Sequence, residues 1–148
     1  MLATQVANCN QPEAPLQRLL RLAGAHPDQT ISVAGPGSLD LMIALCRAGY
    51  ERVECARQAT CGGADETSDL LILACAPDRL AGLATRTLPL LRDGGSVAAG
   101  LTRMGDDLLI RDALLVRGME ILTTAIDDRG DPIVVHQIRR RERLAQVS

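Results

Sequence analysis

Seven apolar residues in a row, Leu70-Leu71-Ile72-Leu73-Ala74-Cys75-Ala76, stand between Asp69 and Pro77. A short run with no polar alternation has no face to give to water, so as a strand it must be covered on both sides. That is the situation of a strand inside a parallel sheet flanked by helices. The surrounding sequence supplies the other parts. Ile31-Ser32-Val33-Ala34 is a second β-prone run, ended by Gly35-Pro36-Gly37, and Ser38 is placed to N-cap the apolar-periodic segment Leu39 to Ala48 that Gly49 closes. Ahead of it, Pro15 opens and Gly24 stops a helical stripe through Leu16, Leu19, Leu20 and Ala23.

Arg52 to Ala56 reads as a further strand. Pro77-Asp78 starts a helix with Leu80, Leu83, Ala84, Leu88 and Leu91 on one side, which Pro89 breaks near its end. Asp93-Gly94-Gly95 is expected to turn the chain into a strand from Ser96 to Gly100. A helix from Asp106 to Arg117 leads into two last strands, Met119 to Ile126 and Ile133 to Ile138, joined as a hairpin by the turn 127–131. Strands alternating with helices imply an α/β fold, a doubly wound and mainly parallel sheet, and the hairpin adds a C-terminal antiparallel pair. Ligands of such sheets bind beyond the carboxyl ends of the strands, here at Gly35 to Ser38 and at Ala74 to Asp78.

Composition narrows the function. Apolar residues make up 47% of the 148 and no apolar run reaches the roughly 18 residues of a membrane span, so disorder and membrane insertion are both disfavoured. All 16 basic residues are Arg, the formal net charge is -2, and polyanion binding therefore lacks a favourable field. Five cysteines without a C-x-x-C pair, and no secretory signal pattern, lead to the expectation of a reduced, cytoplasmic protein. Three parts are expected: a loose arm over 1–14, one domain over 15–139 and a basic tail over 140–148.

The order of elements and several phrases resemble the class I S-adenosylmethionine-dependent methyltransferases: ISVAGPGS, LDLMIALCRAG, LLILACAP, LPLLRDGGSVAAG and the closing GMEILTTAIDDRGDPIVVHQIRR. The resemblance runs from about Leu16 to Arg139 and implies the terminal hairpin. It further implies that Gly35 and Gly37 face S-adenosylmethionine, that Ser38 caps the helix beneath it, and that Glu54 accepts hydrogen bonds from the ribose. Asp78 is the carboxylate it offers for orienting a methyl acceptor, and the plainer reading of Asp78 is a helix N-cap.

The departures point to a trimmed pocket. The glycine motif has no carboxylate before it and Leu39 where a third glycine is expected. The chain between Ala56 and Leu70 is too short for the helix, strand and helix the family places there, so one edge strand is expected to be missing. No aromatic follows the third strand to stack a flipped base, which disfavours nucleobase methylation. The implied function is a methyltransferase-like domain in a regulatory or scaffolding role, the alternative being an active enzyme on a small molecule or protein.

Two other readings use the same residues. Gly35-Pro36-Gly37 can cradle a pyrophosphate and Arg57 can pair with the 2′-phosphate of NADP, although Asp40 stands where the third glycine of that fingerprint falls. An interaction protein would use the hairpin edge or helical faces for a homodimer or a protein partner. Arg139 to Arg143 reads as a solvated end, with nucleic acid disfavoured. The cysteines, including Cys55, Cys61 and Cys75 near the carboxyl edge, match no zinc spacing and read as small hydrophobes, so no metal is expected. His26 and His136 read as exposed polar residues.

Overall fold

The computed structural model describes residues 14–56 and 68–140. The arm through residue 13, the tail beyond Arg140, and the residues Cys9, Arg57 and Cys61 lie outside this range. Four helices and six strands follow in the order α1 (Pro15–Ala23), β1 (Ile31–Ala34), α2 (Ser38–Arg47), β2 (Val53–Cys55), β3 (Ser68–Leu73), α3 (Leu80–Thr87), β4 (Leu91–Gly100), α4 (Asp107–Val116), β5 (Met119–Asp127) and β6 (Ile133–Arg140). The strands form one sheet of order β2-β1-β3-β4-β6-β5. β2, β1, β3 and β4 are parallel, and β6 returns antiparallel between β4 and β5. The α/β class, the parallel core and the C-terminal hairpin are thus as the sequence implies.

Each face of the sheet carries its own core. Ile31, Val33, Leu70, Ile72, Ala98 and Val135 pack under α1 and α2 through Leu19, Leu20 and Leu45. Leu71, Leu73, Val97, Ala99, Val134 and Ile138 pack under α3 and α4 through Leu80, Ala84, Ile110 and Leu114. The apolar run of β3 supplies both cores, which is why it does not alternate with polar residues, and β1 gives Ile31 and Val33 to one face and Ser32 and Ala34, both buried, to the other. Tyr50, the one aromatic, closes the α1–α2 side.

Three local expectations are corrected. The N-cap of α2 is Gly37; Ser38 is already helical and buried, and its hydroxyl donates to the carbonyls of Gly35 at 2.5 Å and Val33 at 3.3 Å. The close approach of the turn to β1 makes that hydroxyl a donor to carbonyl oxygens instead of an acceptor for a free helix N–H. β4 begins at Leu91, not Ser96. Asp93-Gly94-Gly95 is a bulge inside the strand: Ser68 pairs with Leu91 and Leu70 with Ser96, so three extra residues loop out where Gly94 takes φ +83°. Finally, among the described cysteines Cys46 and Cys55 are exposed, and Cys75 packs against a core.

α1 is tied across the sheet by charge. Asp127, at the end of β5, is buried and accepts hydrogen bonds from the Arg129 side chain and backbone N–H and from Arg18 Nε of α1, with Arg21 Nη2 at 3.9 Å. The Arg129 and Arg18 hydrogen bonds hold its carboxyl well below the usual carboxylate range. A depressed folded-state pKa stabilises the fold above the ordinary value and the contribution is lost as pH falls below it. The urea midpoint of the wild type is therefore expected to drop as pH goes below about 4. Asp127→Asn should start lower at pH 7 and fall less steeply; parallel pH profiles for the two proteins would contradict the tie.

Candidate functional site

The carboxyl edge is where the parallel strands deliver their loops. Gly35 takes φ +114°, and a Cβ there would sit 2.0 Å from the Ala74 carbonyl oxygen, so the turn after β1 lies directly on the end of β3. Ala74 N–H completes the contact by donating to Ala34 O at 2.7 Å. Gly37 differs: nothing lies within 4 Å of its missing Cβ. Gly35 is a packing necessity, whereas Gly37 opens the turn to solvent.

Glu54 pairs in register with Ser32, one residue before the Val33–Cys55 pair that ends the β1–β2 ladder. Its carboxylate accepts from Ser32 Oγ at 3.1 Å, and Ser32 Oγ also bonds Ser68 Oγ inside the sheet. Glu54 thus faces the α3–α4 side and is engaged by a buried serine. Asp78 lies in the short 3-10 turn Pro77–Arg79 before α3, is exposed, and caps neither that turn nor α3. Burial pushes the neighbouring Cys75 thiol up, and the Asp78 carboxylate adds to the shift. Cys75 is therefore kept a neutral thiol, a poor nucleophile.

A cleft of about 230 Å³ opens beside these loops, between the N-terminal half of α1 and the ends of β3 and β4. Its walls are Pro15, Leu16, Leu19, Leu41, Ile72 and Ile133, with Cys75 and Gly100 at the strand ends. Among the described residues no charged side chain lines it. Among the described residues no three His, Cys, Asp or Glu gather as a metal site.

A buried polar cluster lies elsewhere, between the hairpin and α4. His136, expected to be exposed, is fully buried on β6. Its Nε2 is 2.7 Å from Asp107 Oδ1 at the start of α4, its Nδ1 is 2.8 Å from Thr124 Oγ1 on β5, and Arg111 Nε donates to Asp107 Oδ2 at 2.9 Å. Burial pushes the Asp107 carboxyl up, but the hydrogen bonds and charges of His136 and Arg111 outweigh it and hold it below the ordinary value. Nε2 bonds Asp107 and Nδ1 bonds the Thr124 hydroxyl, so both ring nitrogens are satisfied. The strand periodicity carried the signal: His136 has the parity of Val134 and Ile138, which face the α3–α4 core.

No protein-family model and no curated protein sequence matches the chain. Solved structures do. A SAM-dependent O-methyltransferase from Thermotoga maritima superposes with a TM-score of 0.58, at 15% identity, over 97% of this chain and 72% of that one. An RNA methyltransferase from Salinibacter ruber, solved with S-adenosyl-L-homocysteine, gives 0.51 at 14% identity over 90% and 97%. The fold is that of the class I methyltransferases. A Haloferax volcanii complex of a methyltransferase activator with its methyltransferase matches with a TM-score of 0.55, 10% identity, over 86% of this chain and 90% of that one. At these identities the shared property is the methyltransferase-like fold. No described helix of this chain is long and apolar enough to cross a membrane.

Proposed function

We propose that this chain is a methyltransferase-like module whose cofactor pocket is reduced and which works through protein contacts in a regulatory or scaffolding role. The observation that carries the reading is that the described residues lining the cleft at the carboxyl edge are all uncharged. The methionine end of S-adenosylmethionine bears an ammonium, a carboxylate and a sulfonium, and burying such charges without partners costs several kcal/mol per ion. The described residues of the cleft do not fit that group. Glu54, the residue suited to the ribose, is held by Ser32 on the α3–α4 side. The Haloferax volcanii protein, bound to an activator, supports a role in which this fold meets a protein partner.

Thermal unfolding of the full chain with S-adenosylhomocysteine tests the reading. A ligand at a hundred times its dissociation constant stabilises a single site by about 2.7 kcal/mol, which for a chain of this size is about 5–10 °C. No shift is expected at millimolar ligand, and NADPH is expected to give none. Gly37→Val, with open space at its Cβ and φ -88°, should unfold at the wild-type temperature with or without ligand. A shift in the wild type that Gly37→Val removes would overturn the proposal and make the chain a cofactor-binding methyltransferase.

A further inference from the structure

Eight large apolar side chains are exposed among the described residues, and six of them fall between Met104 and Ile126: Met104 just before α4, Leu108, Leu115 and Val116 on it, and Leu122 and Ile126 on β5. The other two, Leu39 and Ile43, are on α2. α4 and β5 are neighbours for a topological reason. α4 turns through Gly118 straight into β5 and runs back along it, and the Asp107–His136–Thr124 bonds pin the start of α4 to the middle of the hairpin. β5 is the outermost strand of the described sheet, and β6 alone pairs with it there. Apolar side chains gathered beside a sheet edge mark an interaction surface.

The pattern on α4 says what covers it. Leu108, Arg111, Asp112 and Leu115 are spaced i, i+3, i+4, i+7 and all four are exposed, so they form one outward stripe. The stripe is a palindrome in chemistry: apolar, basic, acidic, apolar. Laid antiparallel on itself about an axis between Arg111 and Asp112, Leu108 of one chain meets Leu115 of the other, and Arg111 meets Asp112. Arg111 uses its Nε on Asp107, which leaves the outer guanidinium nitrogens to reach across, and Asp112 makes no ion pair within the described chain. An isologous interface requires this self-complementarity, and a two-fold axis gives both copies the same contacts.

We propose that the chain forms a two-fold dimer through the outer face of α4, with the stripe Leu108, Arg111, Asp112, Leu115 packed antiparallel on the same stripe of a second copy. The geometry stands on its own; that the dimer is what a module without a working cofactor pocket contributes rests on the proposed function above.

Sedimentation velocity of the full chain decides it. The wild type is expected at twice the chain mass of 15.8 kDa at micromolar concentration. Leu108→Glu/Leu115→Glu and, separately, Asp112→Arg are expected at the single mass, with the dissociation constant raised at least about a hundredfold. All three positions are exposed, so circular dichroism and the unfolding of the monomer should be unchanged. A wild type that stays monomeric at high micromolar concentration would overturn the proposal, as would a dimer that survives both variants. The homocysteine-ligand experiment, run on the same samples, keeps the readings separate: a ligand shift with an intact dimer overturns the reduced pocket alone, and a monomer without a shift overturns this surface alone.

Discussion

Gly35→Ala lowers the stability of this protein by at least about 3 kcal/mol in urea unfolding, while Gly37→Ala two residues later changes it by less than about 0.5 kcal/mol. The two glycines look alike in the sequence and differ in what surrounds them. At Gly35 a methyl group meets the Ala74 carbonyl oxygen at 2.0 Å and its carbon at 2.6 Å, on a backbone already at φ +114°. Neither conflict can relax cheaply, because Ala74 is locked by its own bond to Ala34 and the obstacle is backbone rather than a rotatable side chain. At Gly37 a methyl meets nothing within 4 Å. A Gly35→Ala protein within 1 kcal/mol of wild type would mean that the turn does not rest on β3.

The second large effect is at the buried polar cluster. Asp107→Ala leaves His136 Nε2 without its partner in a site closed to water, and releases Arg111 from the carboxylate that orients it. His136→Leu strips the Asp107 carboxylate of its buried partner. Removing one partner of a buried pair costs about 3–5 kcal/mol, whereas removing both takes away the stranded group as well. Each single variant is therefore expected in that range, and Asp107→Ala/His136→Leu is expected to cost less than the sum by about 1–3 kcal/mol. The full double-mutant cycle by urea denaturation at pH 7 checks this; strictly additive costs would show that the two groups do not depend on each other. Asp107 also has a lowered pKa, so part of its contribution is lost with that of Asp127 as pH falls below the ordinary carboxylate value.

The class and order of the fold were legible because they depend on local signals that tertiary contacts did not override. Pro15 and Gly24 bound α1 as their backbone preferences require, with Gly24 at φ 62°. The unbroken apolar run of β3 meant two covered faces, and both are covered. The glycine turn was legible too. Its division of labour was not, since only the distance to Ala74 separates Gly35 from Gly37. Ser38 was misplaced for a similar reason: a serine before an apolar stripe is a good N-cap in isolation, but here the Gly35 carbonyl lies 2.5 Å from its hydroxyl. Asp93-Gly94-Gly95 was expected as a turn before the strand, yet the pairing of Leu91 with Ser68 and of Ser96 with Leu70 absorbed it as a bulge in β4.

By itself the sequence determined the alternation of strands and helices, the position of the glycine turn, the closing hairpin and the aliphatic core, because periodicity, proline and glycine act within a few residues. Tertiary structure alone decided where charge and polarity meet. Asp107, Thr124 and His136 come together through register and helix placement across 29 positions of chain. Glu54 was turned to Ser32 by a register that no local pattern sets. The stripe on α4 was left facing outward because the buried side of that helix is defined by Ile110, Ala113 and Leu114 meeting the sheet. Local sequence sets which elements form; the contacts between distant elements set what those elements present to a ligand or to a partner.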